Sequence, residues 1–355
     1  MNNVYYITEK DFQDFIDRLT NDAEVFFPFE KSPGPRKEKD YFYQKISPGA
    51  CLKFNPYRTI EPLRTFFVSA YDKLAHYFTD KKEVLVDPKK KTIIFGVKSC
   101  DLVEQKVQDF VFLEGVDVDT AYKIKRENTI LVSGDCTDFK EVCHCLAWEV
   151  LPYPQDGFDL NISPLNDGFL VEVGSVKGQG LVDAYKGLFS IAKDTQIAAR
   201  KAKRDGLIDR LKRHLLPQNL VKYTDVQRLV KEGYNLDTWK QFMQTCVECG
   251  GCNFACGTCH CFLLADRKED KLNSKVRLWD SCLYANFARV AGGANPLKLR
   301  AQRLRNRFLK KFDFFVDNMG KPACCGCGRC IEVCPGKIDI REVLKDLEKK
   351  LSCKK

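Results

Sequence analysis

Histidine is scarce in this sequence, with four in 355 residues, and methionine and tryptophan are scarcer, with three of each. His76, His144, His214 and His260 are scattered, and no serine, histidine and carboxylate set emerges, which excludes the common hydrolase arrangement. No G-x-G-x-x-G follows a predicted strand and no Walker lysine loop is present. The pair Gly292 and Gly293 precedes a proline and a basic helix, a poor match to a phosphate loop. The chain therefore has no visible nucleotide or flavin site of its own. Long apolar runs are also missing, none approaching the ~20 residues of a membrane span. The first fifteen residues, MNNVYYITEKDFQDF, have neither a basic leader nor an apolar core. The expectation is a protein of the reducing cytoplasm without a membrane span.

Cysteine, by contrast, is abundant, with 18 residues. The chain is too long for a disulfide-stapled secreted scaffold, and thiols in a reducing compartment are more often metal ligands. Its length suggests two or three domains of ~100–200 residues. Residues 1–240 hold 36 basic and 36 acidic side chains; residues 241–355 hold 22 basic and 12 acidic. The +10 excess thus lies in the last third, together with 13 of the 18 cysteines. This composition border, near 235–245, predicts a first domain over 1–235 and a second over 236–355.

The expected fold class is α+β. In the first domain, Thr92–Val97, Thr129–Ser133 and Phe169–Val173 read as strands, and Asp101–Leu113 and Gln196–Leu216 as helices, giving a mixed α/β domain. The second reads as a helical, ferredoxin-like dicluster domain, with helices over Pro296–Phe315 and Arg341–Leu351 and almost no strand pattern. Lys31–Lys39 reads as a surface loop.

Cys246, Cys249, Cys252 and Cys256 are spaced C-x2-C-x2-C-x3-C, and Cys324, Cys327, Cys330 and Cys334 repeat the spacing before Pro335. This run holds [4Fe–4S] clusters in bacterial ferredoxins, the fourth thiolate crossing to the other cluster. Three thiolates within seven residues let a loop wrap one cluster, while the fourth points back across the pair. Cys246, Cys249, Cys252 and Cys334 are therefore assigned to one cluster, and Cys324, Cys327, Cys330 and Cys256 to the other. Structural zinc normally takes two separated C-x-x-C knuckles. A zinc-dependent nucleic-acid module would be colourless and free of acid-labile sulfide. The 67 residues between the runs read as helices.

Cys256, Cys259 and His260 also spell the c-type haem signature C-x-x-C-H, but Cys256 is needed by the cluster and no export signal precedes it. Cys324, Cys325 and Gly326 form a CCG triplet without its usual downstream cysteine pair, so Cys325 reads as a small buried side chain. Cys259, Cys261 and Cys282 have three open readings: ligands of a further cluster with a non-cysteine partner, thiol contacts that tune the dicluster, or packing.

In the first domain, Cys100 and Cys136 each follow a predicted strand, and Cys143 and Cys145 form C-x-C around His144. These four could supply a third cluster, the alternative being buried packing; His144 reads as an ordinary histidine rather than a ligand. Cys51 and Cys353 are isolated.

The stretch Lys298–Lys311 has seven positive and no negative residues. A nucleic-acid groove or a solvated helix face are readings of it. A third fits better: a four-thiolate cluster carries about two negative charges when oxidised, and net charge helps set its potential. Basic residues would favour the reduced form and steer an acidic redox partner.

The segments GVKSCDL (96–102), DC (135–136), CHC (143–145), GFDLNIS (157–163), GFLVEVGSVKG (168–178), CVECGGCNFACGTCHCF (246–262), RLWDSC (277–282), AGGANP (291–296) and CGCGRCIEVCP (325–335) follow one another in order. This ordered set resembles the iron–sulfur subunits of cytosolic sulfhydrogenases, their beta subunit, and of anaerobic sulfite reductase, its A subunit, over roughly residues 45–350. Gly257 stands where many such runs have proline, and Cys325 where an apolar residue is usual. The resemblance implies that the first-domain cysteines are functional. It also implies a non-catalytic electron-transfer subunit of an anaerobic hydrogenase, sulfite reductase or heterodisulfide reductase-linked complex. Such a subunit relays electrons between a flavin subunit handling NAD(P)H and a catalytic subunit, with soluble ferredoxin as a further partner. The alternative is a catalytic first-domain cluster acting on a sulfur or thiol substrate.

Overall fold

The computed structural model describes residues 4–31, 38–77, 90–269 and 273–353. Its strands, in chain order, are β1 (Val4–Thr8), β2 (Glu24–Lys31), β3 (Asp40–Lys45), β4 (Tyr71–His76), β5 (Thr92–Val97), β6 (Thr129–Gly134), β7 (Leu160–Pro164), β8 (Gly168–Val173), β9 (Ser190–Ile191), β10 (Phe262–Arg267) and β11 (Ser274–Trp279). Its helices are α1 (Glu9–Leu19), α2 (Ser99–Leu113), α3 (Thr120–Glu127), α4 (Val176–Ala184), α5 (Asp194–Leu215), α6 (Val226–Glu232), α7 (Thr238–Phe242), α8 (Gly251–Phe254), α9 (Arg300–Leu309), α10 (Phe315–Met319), α11 (Arg329–Glu332) and α12 (Ile340–Ser352). Among the described residues, no helix is long and apolar enough to cross a membrane.

The chain forms two compact units. The first comprises residues 1–67, 86–141 and 150–214, and the second comprises 68–85, 142–149 and 215–355.

The first unit is built on a mixed eight-stranded sheet in the order β3-β2-β5-β6-β7-β8-β1-β9. Its centre, β2-β5-β6-β7, is parallel, and both flanks are antiparallel. The sequence TIIFGV of β5 is apolar on both faces because a central parallel strand is covered on both sides. Helix α1 starts at Thr8, whose hydroxyl accepts the Asp11 N–H at 3.1 Å. It buries Phe12, Phe15, Ile16 and Leu19 in a core shared with Phe27, Phe95, Leu160 and Val171.

Gly96, at φ +70°, lies where the β5 register shifts. A Cβ there would come within 2.5 Å of Asn55 and Pro28, so only glycine fits. The chain then turns through Lys98 into α2, whose Asp101 carboxylate accepts the Lys98 N–H at 3.0 Å.

The second unit is richer in strands than its sequence suggests. β10, β11 and β4 form an antiparallel sheet, so a strand from the first quarter of the chain pairs with the segment between the cysteine runs. Trp279 Nε1 donates to the Val68 carbonyl at 3.1 Å, and Arg277 pairs with Asp72 at 2.8 Å. This corrects the expectation of an almost strand-free helical domain and of 67 helical residues between the runs. The second unit's last segment begins at Leu215, whereas the composition border predicts 236, and within it α6 and α7 pack with α12 and α9. Asp339 caps α12, whose Ile340, Val343, Leu344 and Leu347 are buried.

The expected helix over Pro296–Phe315 is α9, a π turn at Lys310–Phe314, and then α10. Of the expected loop Lys31–Lys39, residues 32–37 lie outside the described residues.

Candidate metal centre

The two cysteine runs adopt the same local structure. Each passes through a left-handed residue, Glu248 (φ +58°) or Gly326 (φ +67°), then a left-handed glycine, Gly250 (φ +72°) or Gly328 (φ +73°), and enters a four-residue helix, α8 or α11. The third cysteine of each run, Cys252 or Cys330, sits on that helix, and the fourth, Cys256 or Cys334, follows its end. The helices pack against each other. At Gly326 a Cβ would come within 2.7 Å of the His144 carbonyl, Trp148 and Cys145, all in this unit. Close backbone approach fixes the glycines as firmly as the turn does.

Thiols of both runs gather together. Cys246, Cys249, Cys252, Cys330 and Cys334 line one cavity with Arg307, walled by Met243, Leu283, Leu304 and Ile338. Cys246 faces Cys334 and Cys249, and Cys252 faces Cys330 and Cys334. On the other side, Cys324 faces Cys330 and Cys327, while Cys330 also faces Cys256. Burial pushes the thiols of Cys246, Cys324 and Cys330 up, and that of Cys252 up to about 12 against the pull of Arg307. Free thiols are therefore disfavoured as anions there, and a metal that takes thiolates would release their protons on binding.

Two buried cations point into this region. Arg307 Nε donates to Asn253 Oδ1 at 3.1 Å, and its Nη2 is buried without a hydrogen-bond partner among the described residues. Burial works against its charge, but the thiols of Cys252 and Cys330 hold its pKa above the ordinary arginine value. Lys311 Nζ donates to Cys256 Sγ at 3.2 Å. The donor set, all sulfur, and the buried cations facing it fit negatively charged iron–sulfur clusters. Arg303, Arg307 and Lys311, three of the seven positive residues of the basic stretch, are buried. Sequence reading recognised the stretch as counter-charge but not which residues face the thiols; their four-residue spacing was the available signal.

Of the remaining cysteines, Cys259 hydrogen-bonds Cys256. Cys261 and Cys282 hydrogen-bond each other at the base of the β10–β11 hairpin, and Asn253 Nδ2 lies 3.1 Å from Cys282 Sγ. The Cys261 hydrogen bond first, then Asn253, bring the Cys282 thiol down to about 6 against burial. Cys325 is buried, and Cys51 and Cys353 are exposed.

The four cysteines expected to form a third cluster divide between the units. In the first, Cys100 and Cys136 follow the adjacent parallel strands β5 and β6 and flank the fully buried Lys98. Lys98 Nζ donates to the Asp135 carbonyl at 3.0 Å, and burial lowers its pKa against Cys136, Asp135, Asp101 and Cys100. In the second, Cys143 is buried and Cys145 lies beside Gly326. His144 is buried, its N–H donating to the Gly326 carbonyl at 2.9 Å and its Nδ1 lying 2.9 Å from the Val142 carbonyl.

Residues 245–338, which contain both runs, match the family described as a 4Fe-4S dicluster domain. The chain is similar to the sulfhydrogenase 2 subunit beta of Pyrococcus furiosus, with 31% identity over 344 residues, 96% of this chain and 97% of the relative. It is also similar to the F420-dependent formate dehydrogenase subunit beta of Methanocaldococcus jannaschii, at 22% over 181 residues, 51% of this chain and 39% of the relative.

Proposed function

Because the chain belongs to the family of sulfhydrogenase beta subunits, iron–sulfur electron-transfer subunits of oxidoreductases, we propose that it relays electrons between a flavin subunit handling NAD(P)H and a catalytic redox subunit in a cytoplasmic complex of anaerobic metabolism. It does so through two [4Fe–4S] clusters in its second unit. Cys246, Cys249, Cys252 and Cys334 hold one, and Cys324, Cys327, Cys330 and Cys256 hold the other. When bound, such a cluster supplies a site that takes up and gives back one electron.

The chain's own residues do the rest. Left-handed turns at Glu248 (φ +58°) and Lys337 (φ +54°) bring backbone N–H groups to the sulfurs: Glu248 N–H lies 3.4 Å from Cys246 Sγ, and Ile338 N–H 3.4 Å from Cys334 Sγ. Apolar side chains such as Leu283, Leu304 and Phe308 exclude water, and Arg307 supplies positive charge between the two thiol sets. The observation that carries this reading is the proximity of each run's fourth cysteine to the other run, Cys334 beside Cys246 and Cys256 beside Cys330.

Iron and acid-labile sulfide per anaerobically purified chain test it. About eight of each is expected from two cubanes, and about twelve would register the third cluster expected from the remaining cysteines. Zinc in place of iron would overturn the reading.

A further inference from the structure

Arg303, Arg307 and Lys311 follow one another at four-residue intervals, which places them on one helical face. All three are buried, but their surroundings differ. Arg303 has a carboxylate partner, Glu248, and donates to the carbonyls of Leu283, Leu297 and Lys298 at 2.8–3.0 Å. Arg307 stands between the thiol sets, facing Cys252 of one and Cys330 and Cys256 of the other.

Lys311 serves one set alone. Its ammonium donates to Cys256 Sγ at 3.2 Å, Thr258 Oγ1 at 2.6 Å and the Ala323 carbonyl at 3.3 Å. An ammonium has three N–H bonds and accepts none, so this set is complete, and it contains no carboxylate. Burial in a medium of low dielectric opposes such a charge. The thiols of Cys256, Cys259 and Cys324 are the sulfur groups gathered around it. The backbone is adapted to the contact: Lys311 sits in the π turn Lys310–Phe314, a rare form concentrated at functional sites, and its carbonyl accepts the Ala323 N–H at 2.8 Å.

We propose that Lys311 sets the reduction potential of the cluster site containing Cys256 and makes it the more easily reduced of the two. This rests on the reading that the two runs hold two [4Fe–4S] clusters. An added electron makes a four-thiolate site more negative, and a fixed cation hydrogen-bonded to one of its sulfurs stabilises that form, the more so out of water. Among the described residues, no ammonium or guanidinium hydrogen-bonds a thiol of the other site, and the Glu248 carboxylate beside Cys246 is already paired with Arg303. Arg307 acts on both sites and does not separate them. A single electron in the pair leaves the Cys246 side and rests on the Cys256 side.

The test is a redox titration of the full chain followed by electron paramagnetic resonance, for the parent and for Lys311→Met, Lys311→Gln and Lys311→Arg. The signal of the Cys256 site is identified as the one that Cys327→Ala abolishes. In the parent, that signal should have the higher potential. In the Met and Gln variants, its ratio of reduced to oxidised form at fixed ambient potential should fall about tenfold, a shift of about 59 mV for one electron. The other signal should stay in place, and Lys311→Arg should restore most of the shift. Unmoved potentials, equal movement of both, or a lower parent potential at the Cys256 site would overturn the proposal. So would loss of iron in both neutral variants with retention in the arginine variant, which would make Lys311 a requirement of assembly instead. Fewer than about eight irons in the parent would instead reject the two-cluster reading, before any titration.

Discussion

Arg277 and Asp72 lie 205 residues apart in sequence and 2.8 Å apart in space, an ion pair across β11 and β4 with Arg277 almost wholly buried. Asp72 also accepts the Ser69 N–H at 3.2 Å. Removing one partner of a buried pair leaves an uncompensated charge, a loss of about 3 kcal/mol. Asp72→Ala should therefore loosen the three-stranded sheet. Hydrogen exchange of Tyr71–His76 and Ser274–Trp279 should speed up while the first sheet keeps its protection. Unchanged protection in both strands would show that the pair does not hold them.

The proposed crosswise ligand sets make a prediction that single cysteine deletions can read. Cys334→Ala should abolish the same spectroscopic signal as Cys249→Ala, although Cys334 belongs to the other run in sequence. Cys256→Ala should match Cys327→Ala. Each variant should retain about four of eight irons. If Cys334→Ala instead matches Cys327→Ala, each run holds its own cluster and the crossing is wrong.

Two glycines should respond to alanine in opposite directions. Gly328 has φ +73°, and its Cβ would meet the Val142 backbone, so Gly328→Ala should cost at least about 2 kcal/mol and reduce iron retention. Gly180, within α4, has open space around its Cβ. Gly180→Ala should stabilise the first unit by about 0.5–1 kcal/mol. Urea denaturation measures both, and a stabilising Gly328→Ala would refute the strained-turn account.

Glu24 gives a pH signature away from the cysteines. Hydrogen bonds from Lys90 at 2.8 Å and Lys45 at 2.9 Å hold its carboxyl below the usual range, against slight burial. A depressed folded-state pKa contributes stability above the unfolded value of about 4.3, and that contribution is lost as the pH falls through the folded value. Glu24→Gln should therefore be less stable than the parent at pH 7, and the difference should close as the pH falls below about 4.3 and through the lowered folded value. Equal urea midpoints at pH 7 would remove this pair from the stability of the sheet.

Removing iron should act on one unit. With thiols in place of clusters, Arg307 and Lys311 lose their counter-charge. Anaerobic chelation should make the second unit protease-sensitive while β1–β9 residues other than β4 stay resistant. Equal digestion of both units would contradict this division of roles.

The central strands were legible because their burial is written locally. TIIFGV and TILVS are unbroken apolar runs, and the observed β5 and β6 cover them with a difference of at most one residue. The cysteine spacing likewise announced both loops, which share the same left-handed turn and short helix. What stayed hidden depends on distant partners. In FLLADR of β10, half the residues are polar or small, and its partner β11 is flanked on the other side by β4, nearly 200 residues earlier. The division of labour among Arg303, Arg307 and Lys311 was equally hidden: the sequence shows a basic stripe, whereas the burial and the thiols that distinguish them come from other segments.

The exchange of fourth cysteines has a consequence for synthesis. On the proposed ligand sets, neither cluster site is complete when the first run leaves the ribosome. The Cys256 site waits for Cys330, and the Cys246 site for Cys334, 78 residues after Cys256. Metal insertion into either site thus follows synthesis of the second run, when the first unit has already been made.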